Sequence, residues 1–102
     1  MKLIAVVTSV ATRDEARAMA ASLVERGLVA CAQISQIESF YRWQGELQHE
    51  PEFRVLAKTV RTRYGEVEAA IRALHSYELP AIHAFALAEA YPRYREWVER
   101  AC

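Results

Sequence analysis

Three histidines, two cysteines and thirteen carboxylates are the groups in this chain that can hold a metal ion. Imidazole suits copper and zinc, and thiolate suits soft metals. His75 is the foremost ligand candidate, followed by the thiol of Cys31 and the carboxylate of Glu78. Each has a plainer reading. His75 closes a helix, where a carbonyl or carboxylate can hold it and the dipole favours a cation. Cys31 lies on a strand, where free cysteine usually acts as a small buried hydrophobe. His49, Glu50 and His83 show no ligand spacing within one chain, although a symmetric assembly could bring copies together. Trp43, Lys58, Tyr77 and Glu78 form a second constellation. They could line a cleft between subunits and take small anions or amides by charge and stacking. Here too there is a plainer reading: Tyr41 and Trp43 as interface anchors, and Lys58 in a salt bridge to Glu46 or Glu78.

The element that must position these groups is one long β-hairpin. Its first arm, Leu28 to Trp43, is rich in β-branched and aromatic residues. Its second runs from Glu46 to Val60. Gln44-Gly45 between them makes a tight turn, because Gly takes φ > 0 without steric cost. A 16-residue arm reaches ~50 Å at about 3.3 Å per residue, beyond the ~26 Å diameter of a 100-residue domain. Such a hairpin must bend back or pair with another chain. The apolar phase changes after Ser35, from Ile34 to Ile37, Tyr41 and Trp43, which predicts a bulge or bend. Glu50-Pro51-Glu52 interrupts the second arm and guards an edge. The distal half, Phe40 to His49, is expected to project.

The flanking segments read in order. Lys2 to Ser9 is an apolar run, expected as a central strand buried on both faces. Thr12-Arg13-Asp14-Glu15 is a capping box. Ala16, Met19, Ala20, Leu23 and Val24 then give a helical stripe ended by Gly27. A second helix starts near Thr62, with Tyr64, Val67, Ile71 and Leu74 inward. Ser76 to Pro80 is a loop, and Ala81 to Ala88 the last strand. Pro92 opens a closing helix that carries Tyr94, Trp97, Val98 and Ala101 on one face. The order β-α-β-β-α-β plus a terminal helix predicts a ferredoxin-like α+β fold. One sheet face is expected to lack a cover, which argues for self-association.

With 102 residues, the chain suffices for one domain, residues 1–102. Thirteen basic residues balance thirteen acidic ones, which argues against a nucleic-acid footprint or a polybasic membrane patch. Cys31 and Cys102 are far apart and form no CxxC. The Met1 to Val7 run is too short for a signal peptide, and no stretch reaches the ~20 apolar residues of a membrane span. Cytoplasmic residence is the expectation.

Several stretches carry a resemblance. Leu28 to Ala32, Ser39 to Glu46, Leu56 to Thr59, His75 to Pro80 and Tyr94 to Trp97 resemble, in order, the LAACVN, SxYxWxGK, IIKT, HPYExP and YxxW stretches of the CutA divalent-cation tolerance family. The resemblance covers essentially the whole chain. It implies a homotrimer with hairpins reaching onto neighbours, similar to the PII nitrogen-signalling trimers. Phe40, Tyr41 and Trp43, as hairpin aromatics, are expected at that trimer interface, and the resemblance implies binding of divalent metal, copper especially. No catalytic reaction and no organic cofactor are implied. The chain departs from the pattern at Gln33, where asparagine is usual, and at Ser76, where proline is usual. The Ser9 to Arg13 loop lacks a Pro-Asp turn. Val7 and Leu74 stand where some relatives carry a cysteine and a second histidine.

Two readings of function follow. One is a homotrimer that binds Cu2+ or another divalent transition metal in metal tolerance, not an enzyme. The other is a PII-like structural or signalling trimer that binds a small ligand or protein in inter-subunit clefts. An RNA-recognition module would need stacking aromatics where Phe53 to Ala57 stand. An acylphosphatase-type hydrolase would need a Gly-rich anion loop before the first helix.

Overall fold

Gln44 and Gly45 both take positive φ, 51° and 81°. That pair of left-handed residues is the I′ turn, whose twist matches the strands it joins. From this turn two strands run back in unbroken antiparallel register. In the computed structural model, which describes residues 1–102, they are β2 (Cys31–Trp43) and β3 (Glu46–Val60). Around them lie β1 (Leu3–Val10), α1 (Arg13–Glu25), α2 (Tyr64–Leu74), β4 (Ile82–Ala86) and α3 (Pro92–Ala101), with a short 3-10 turn, Arg61–Arg63, leading into α2. The sheet order is β2-β3-β1-β4, with the β1–β3, β1–β4 and β2–β3 pairs all antiparallel. This is the ferredoxin-like arrangement expected from the element order.

The expected bulge is absent. Every residue of β2 from Cys31 to Trp43 faces a partner from Lys58 to Glu46, with no slip at Ser35 and Pro51 directly opposite Glu38. The apolar phase changes for a different reason. Ala32 and Ile34 point to the helical face and pack on the core. Beyond them the helices end, and the apolar residues move to the opposite side, where Tyr41 and Trp43 meet the loop that precedes β4. The covered face changes while the register does not. β1 pairs β3 only up to Val10–Phe53, so Pro51 lies where β3 has an open side and its missing N–H breaks no ladder. The projecting arms stretch the subunit to 45 Å along its long axis.

The main core lies between the sheet and α1 and α2: Ile4, Val6, Val10, Val55 and Ala57 against Ala16, Met19, Leu23, Val67 and Ile71. Thr12 caps α1 by accepting the Glu15 N–H at 3.1 Å, and Gly27 (φ 68°) follows its end. The reciprocal half of the capping box does not form, because the Glu15 carboxylate is taken by Ser76. Val24 and Leu74, expected inward, are exposed. Residues 28–30 precede the strand as loop, although Leu28, Val29 and Ala30 are all buried.

The second sheet face is not bare. α3 covers one end of it, where Val98 joins Leu3 and Ala30 in a small second core. The remainder, with Arg54, His83 and Phe85, stays exposed. No helix is long and apolar enough to cross a membrane.

Candidate functional site

The projecting hairpin and the 76–81 loop enclose a cleft of about 850 Å³, within the range of small-molecule sites. Tyr41, Trp43 and Glu52 line it from the hairpin; Tyr77, Glu78 and Leu79 line it from the loop. Strand alternation places the hairpin groups. From the register, Tyr41 and Trp43 share a face with Glu46, Glu50 and Glu52.

Glu52 is the unusual member. Its residue is only 7% exposed, and its carboxylate has one hydrogen-bond partner, the Tyr77 hydroxyl, which donates at 2.6 Å. A carboxylate removed from water ordinarily has a cation or several donors beside it. Tyr41 donates in the same way to neighbouring Glu50. Both phenols are consequently harder to ionise than usual. Burial, then the bond to Glu52, raises Tyr77. The bond to Glu50 first, then burial, pushes Tyr41 up to about 12.

The loop is pinned at its start. Ser76 donates both its N–H and its hydroxyl to the Glu15 carboxylate, each at 3.0 Å. Both nitrogens of His75 are engaged. Nε2 lies 2.9 Å from the Ser9 carbonyl oxygen, and Nδ1 accepts the Tyr77 N–H at 3.1 Å. The His75 and Tyr77 rings lie 4.9 Å apart.

The structure brings together some of the expected groups and separates others. His75, Tyr77, Glu78 and Trp43 gather at or beside the cleft. Cys31 does not. It opposes Lys58, which opposes Ala5 on β1, whereas His75 meets β1 at Ser9; four residues of strand put about 13 Å between them. Cys31 lies 3.7 Å from the Tyr94 hydroxyl, and Tyr94 is held up at about 12 by burial and by this thiol. Lys58 lies at the same end, donating to the Gln33 amide oxygen at 3.1 Å and lying 5.9 Å from the Tyr94 ring centre. Its partner is therefore neither Glu46 nor Glu78. Within one subunit no three His, Cys, Asp or Glu side chains converge as a metal set. Phe40 occupies the opposite hairpin face from Tyr41 and Trp43, stacked on His49 at 4.0 Å. Glu52 and the Glu15–Ser76 tie were missed from the sequence. The i, i+2 pair Glu50/Glu52 could have been placed beside Tyr41 by counting back from the Gln44-Gly45 turn.

Comparison with known proteins supplies the class. Residues 4–101 match the family model of the CutA1 divalent ion tolerance protein. The divalent-cation tolerance protein CutA of Thermus thermophilus is 36% identical over 94 residues, 91% of each chain. A solved structure of the Thermus thermophilus protein superposes with a TM-score of 0.93 at 34% identity, covering 97% of each chain. A structure from Archaeoglobus fulgidus, described as a periplasmic divalent cation tolerance protein CutA, superposes at 0.95 with 28% identity, again over 97% of both chains. The chain belongs to the CutA1 divalent ion tolerance family, and its fold is the one those structures share.

Proposed function

We propose that this chain assembles as a homotrimer and binds a divalent transition metal, with Cu2+ the strongest candidate, at the cleft beneath the hairpin. The observation that carries the metal reading is Glu52, a residue only 7% exposed whose carboxylate has a neutral hydroxyl on Oε2 and no cation beside it. A cation beside it would offset its desolvation. His75 and Glu78 border the same loop, and imidazole with carboxylate suits Cu2+ and Zn2+. One subunit does not complete a ligand set, so water or a neighbouring copy would supply the rest. Family membership supports the tie to divalent-cation tolerance.

The trimer reading rests on charge and exposure. Arg54 lies on the open part of the sheet face without a carboxylate partner, and Glu46 and Glu50 lie on the same face of the projecting arm without a cationic one. A second copy laid across the sheet would pair them. Exposed apolar side chains lie on both faces of the hairpin, Phe40 and Leu47 on one and Trp43 on the other, as interface residues do. The role proposed is binding and not catalysis. Residence in the cytoplasm is part of the proposal. Its support is that Cys31 and Cys102 are both free thiols, and cell fractionation decides it.

The size of the cleft favours a second reading, a PII-like trimer whose clefts take a small organic ligand or a partner's segment. Calorimetric titration of Cu2+ separates the two. Stoichiometric binding that is lost in His75→Ala and kept in Cys31→Ser supports metal; absence of binding turns the search to organic ligands. Sedimentation at low concentration tests the assembly. Trp43→Ala and Arg54→Glu are expected to dissociate it, and a wild-type monomer would end the trimer reading.

A further inference from the structure

The sequence groups Trp43, Lys58, Tyr77 and Glu78 as a constellation for small anions or amides. The fold takes the cation away. Lys58 lies at the other end of the sheet, donating to the Gln33 amide oxygen, and Glu52 lines the cleft in its stead. Arg42, the one basic residue in the lining, belongs to the opposite hairpin face from Tyr41 and Trp43, and its guanidinium donates to the Gly45 carbonyl oxygen at 3.3 Å. Glu38 shares that opposite face, paired with His49. The cleft is therefore walled by the rings of Tyr41, Trp43 and Tyr77 and charged by Glu52 and Glu78, with Glu50 beside them on the Tyr41 hydroxyl. Its ligand must carry the opposite sign from the one the sequence suggests.

Glu52 fixes where that charge sits. The residue is 7% exposed. Tyr77 donates to its Oε2 at 2.6 Å, while Oε1 has no donor and no ion pair. A carboxylate so far out of water is stabilised by a charged donor. Trp and Tyr faces attract cations to within about 6 Å of the ring centre. A cleft of about 850 Å³ has room for an organic body behind the charge. With one carboxylate oxygen already taken, a point donor fits better than a guanidinium, whose fork needs both. We propose that the cleft binds a small organic ammonium ion, which donates an N–H to Glu52 Oε1 and lays its apolar body against the rings of Trp43 and Tyr77. This inference rests on the second reading above, in which the cleft takes a small organic ligand, and names the class of that ligand.

The test compares three ligands of one shape and different charge on the full chain: phenethylamine, protonated at neutral pH, phenethyl alcohol and hydrocinnamate. Trp43 emission reports binding in a Trp97→Phe background, which removes the other tryptophan, on the exposed side of α3. Phenethylamine is expected to bind with a Kd of about a millimolar, at least about tenfold tighter than the alcohol, with hydrocinnamate weakest. Glu52→Gln is expected to bring the amine down to the level of the alcohol and leave the alcohol unchanged, an outcome that general damage to the cleft would not give. The ligand comparison itself needs no change to the cleft. If the alcohol or hydrocinnamate binds as well as the amine, the cleft takes organic ligands without regard to charge; the ammonium inference is then wrong and the organic-ligand reading stands. If none of the three shifts Trp43 emission, as when an arginine of a neighbouring copy fills the cleft, both fall together.

Discussion

Replacing Tyr77 by Phe removes one oxygen and leaves Glu52 as a buried carboxylate without a partner. The ring remains, so packing against His75 is preserved and the effect reports the bond alone. A hydrogen bond to a charged group contributes about 1.5–3 kcal/mol net, and orphaning the charge carries its full desolvation cost. Glu52 is 7% exposed, so water can recover only part of this, and the middle of the range applies. A loss of about 2 kcal/mol is expected. With a urea dependence of ~1–3 kcal/mol per M for a chain this size, the unfolding midpoint should fall by about 1 M. Protomer concentration must be held constant, because assembly contributes to the apparent stability. The second variant, Tyr77→Phe with Glu52→Met, removes the charge along with its donor and should restore most of the loss. A coupling of about 1.5 kcal/mol between the two sites is the signature. A single variant that costs less than about 0.5 kcal/mol, or a pair whose effects simply add, would show that Glu52 is not held as described.

Three further outcomes follow from the same structure. Tyr41 and Tyr94 are raised from 10.0 to about 12 in the folded chain. Their bonds therefore contribute stability below pH ~10 that is lost as pH rises toward 12. Alkaline unfolding, with phenolate absorbance followed in Tyr41→Phe and Tyr94→Phe, should show each late ionisation disappear in its own variant. Thr8 is buried with a hydroxyl that has no partner, so Thr8→Val should stabilise by about 1 kcal/mol in denaturant titration; a destabilisation would mean that the hydroxyl is bonded. Thr12→Ala removes the α1 cap and should cost about 1 kcal/mol in the same assay.

The features readable in the sequence were those fixed by local chemistry. Gly45 after Gln44 fixed the turn, Thr12 the start of α1, and Pro92 the start of α3. The apolar run of Lys2 to Ser9 placed Val6 in the core. The misreadings came from inferring a backbone event from a side-chain pattern. Ile37, Tyr41 and Trp43 break the earlier parity because a different face is covered there, and a sequence does not record where its helices stop. The site was half legible for a related reason. Histidine and thiol chemistry singled out His75 and Cys31, but their separation depends on which β1 residue each meets. Glu52 gave no signal in composition, since a glutamate beside a proline on a strand reads as solvated. Its burial comes from Tyr77, 25 residues away in sequence.

The sheet order has a consequence in time. β1 leaves the ribosome first but occupies an inner position, between two strands made after it. Its partners on β3 lie up to 57 residues downstream, at Val60, and those on β4 up to 82 downstream, at Ala86. Leu3 to Val10 offers two unpaired edges of apolar strand until β3 has emerged and one until β4 has, which is the state of a nascent chain most prone to stray pairing. Only α1 is available early to shield one face. Folding should therefore be slow for the chain's size, with the closing step waiting on α3 to cover Leu3. A ribosome-bound chain halted before residue 92 is expected to hold its first strand in reach of chaperones, and emergence of α3 to end that dependence.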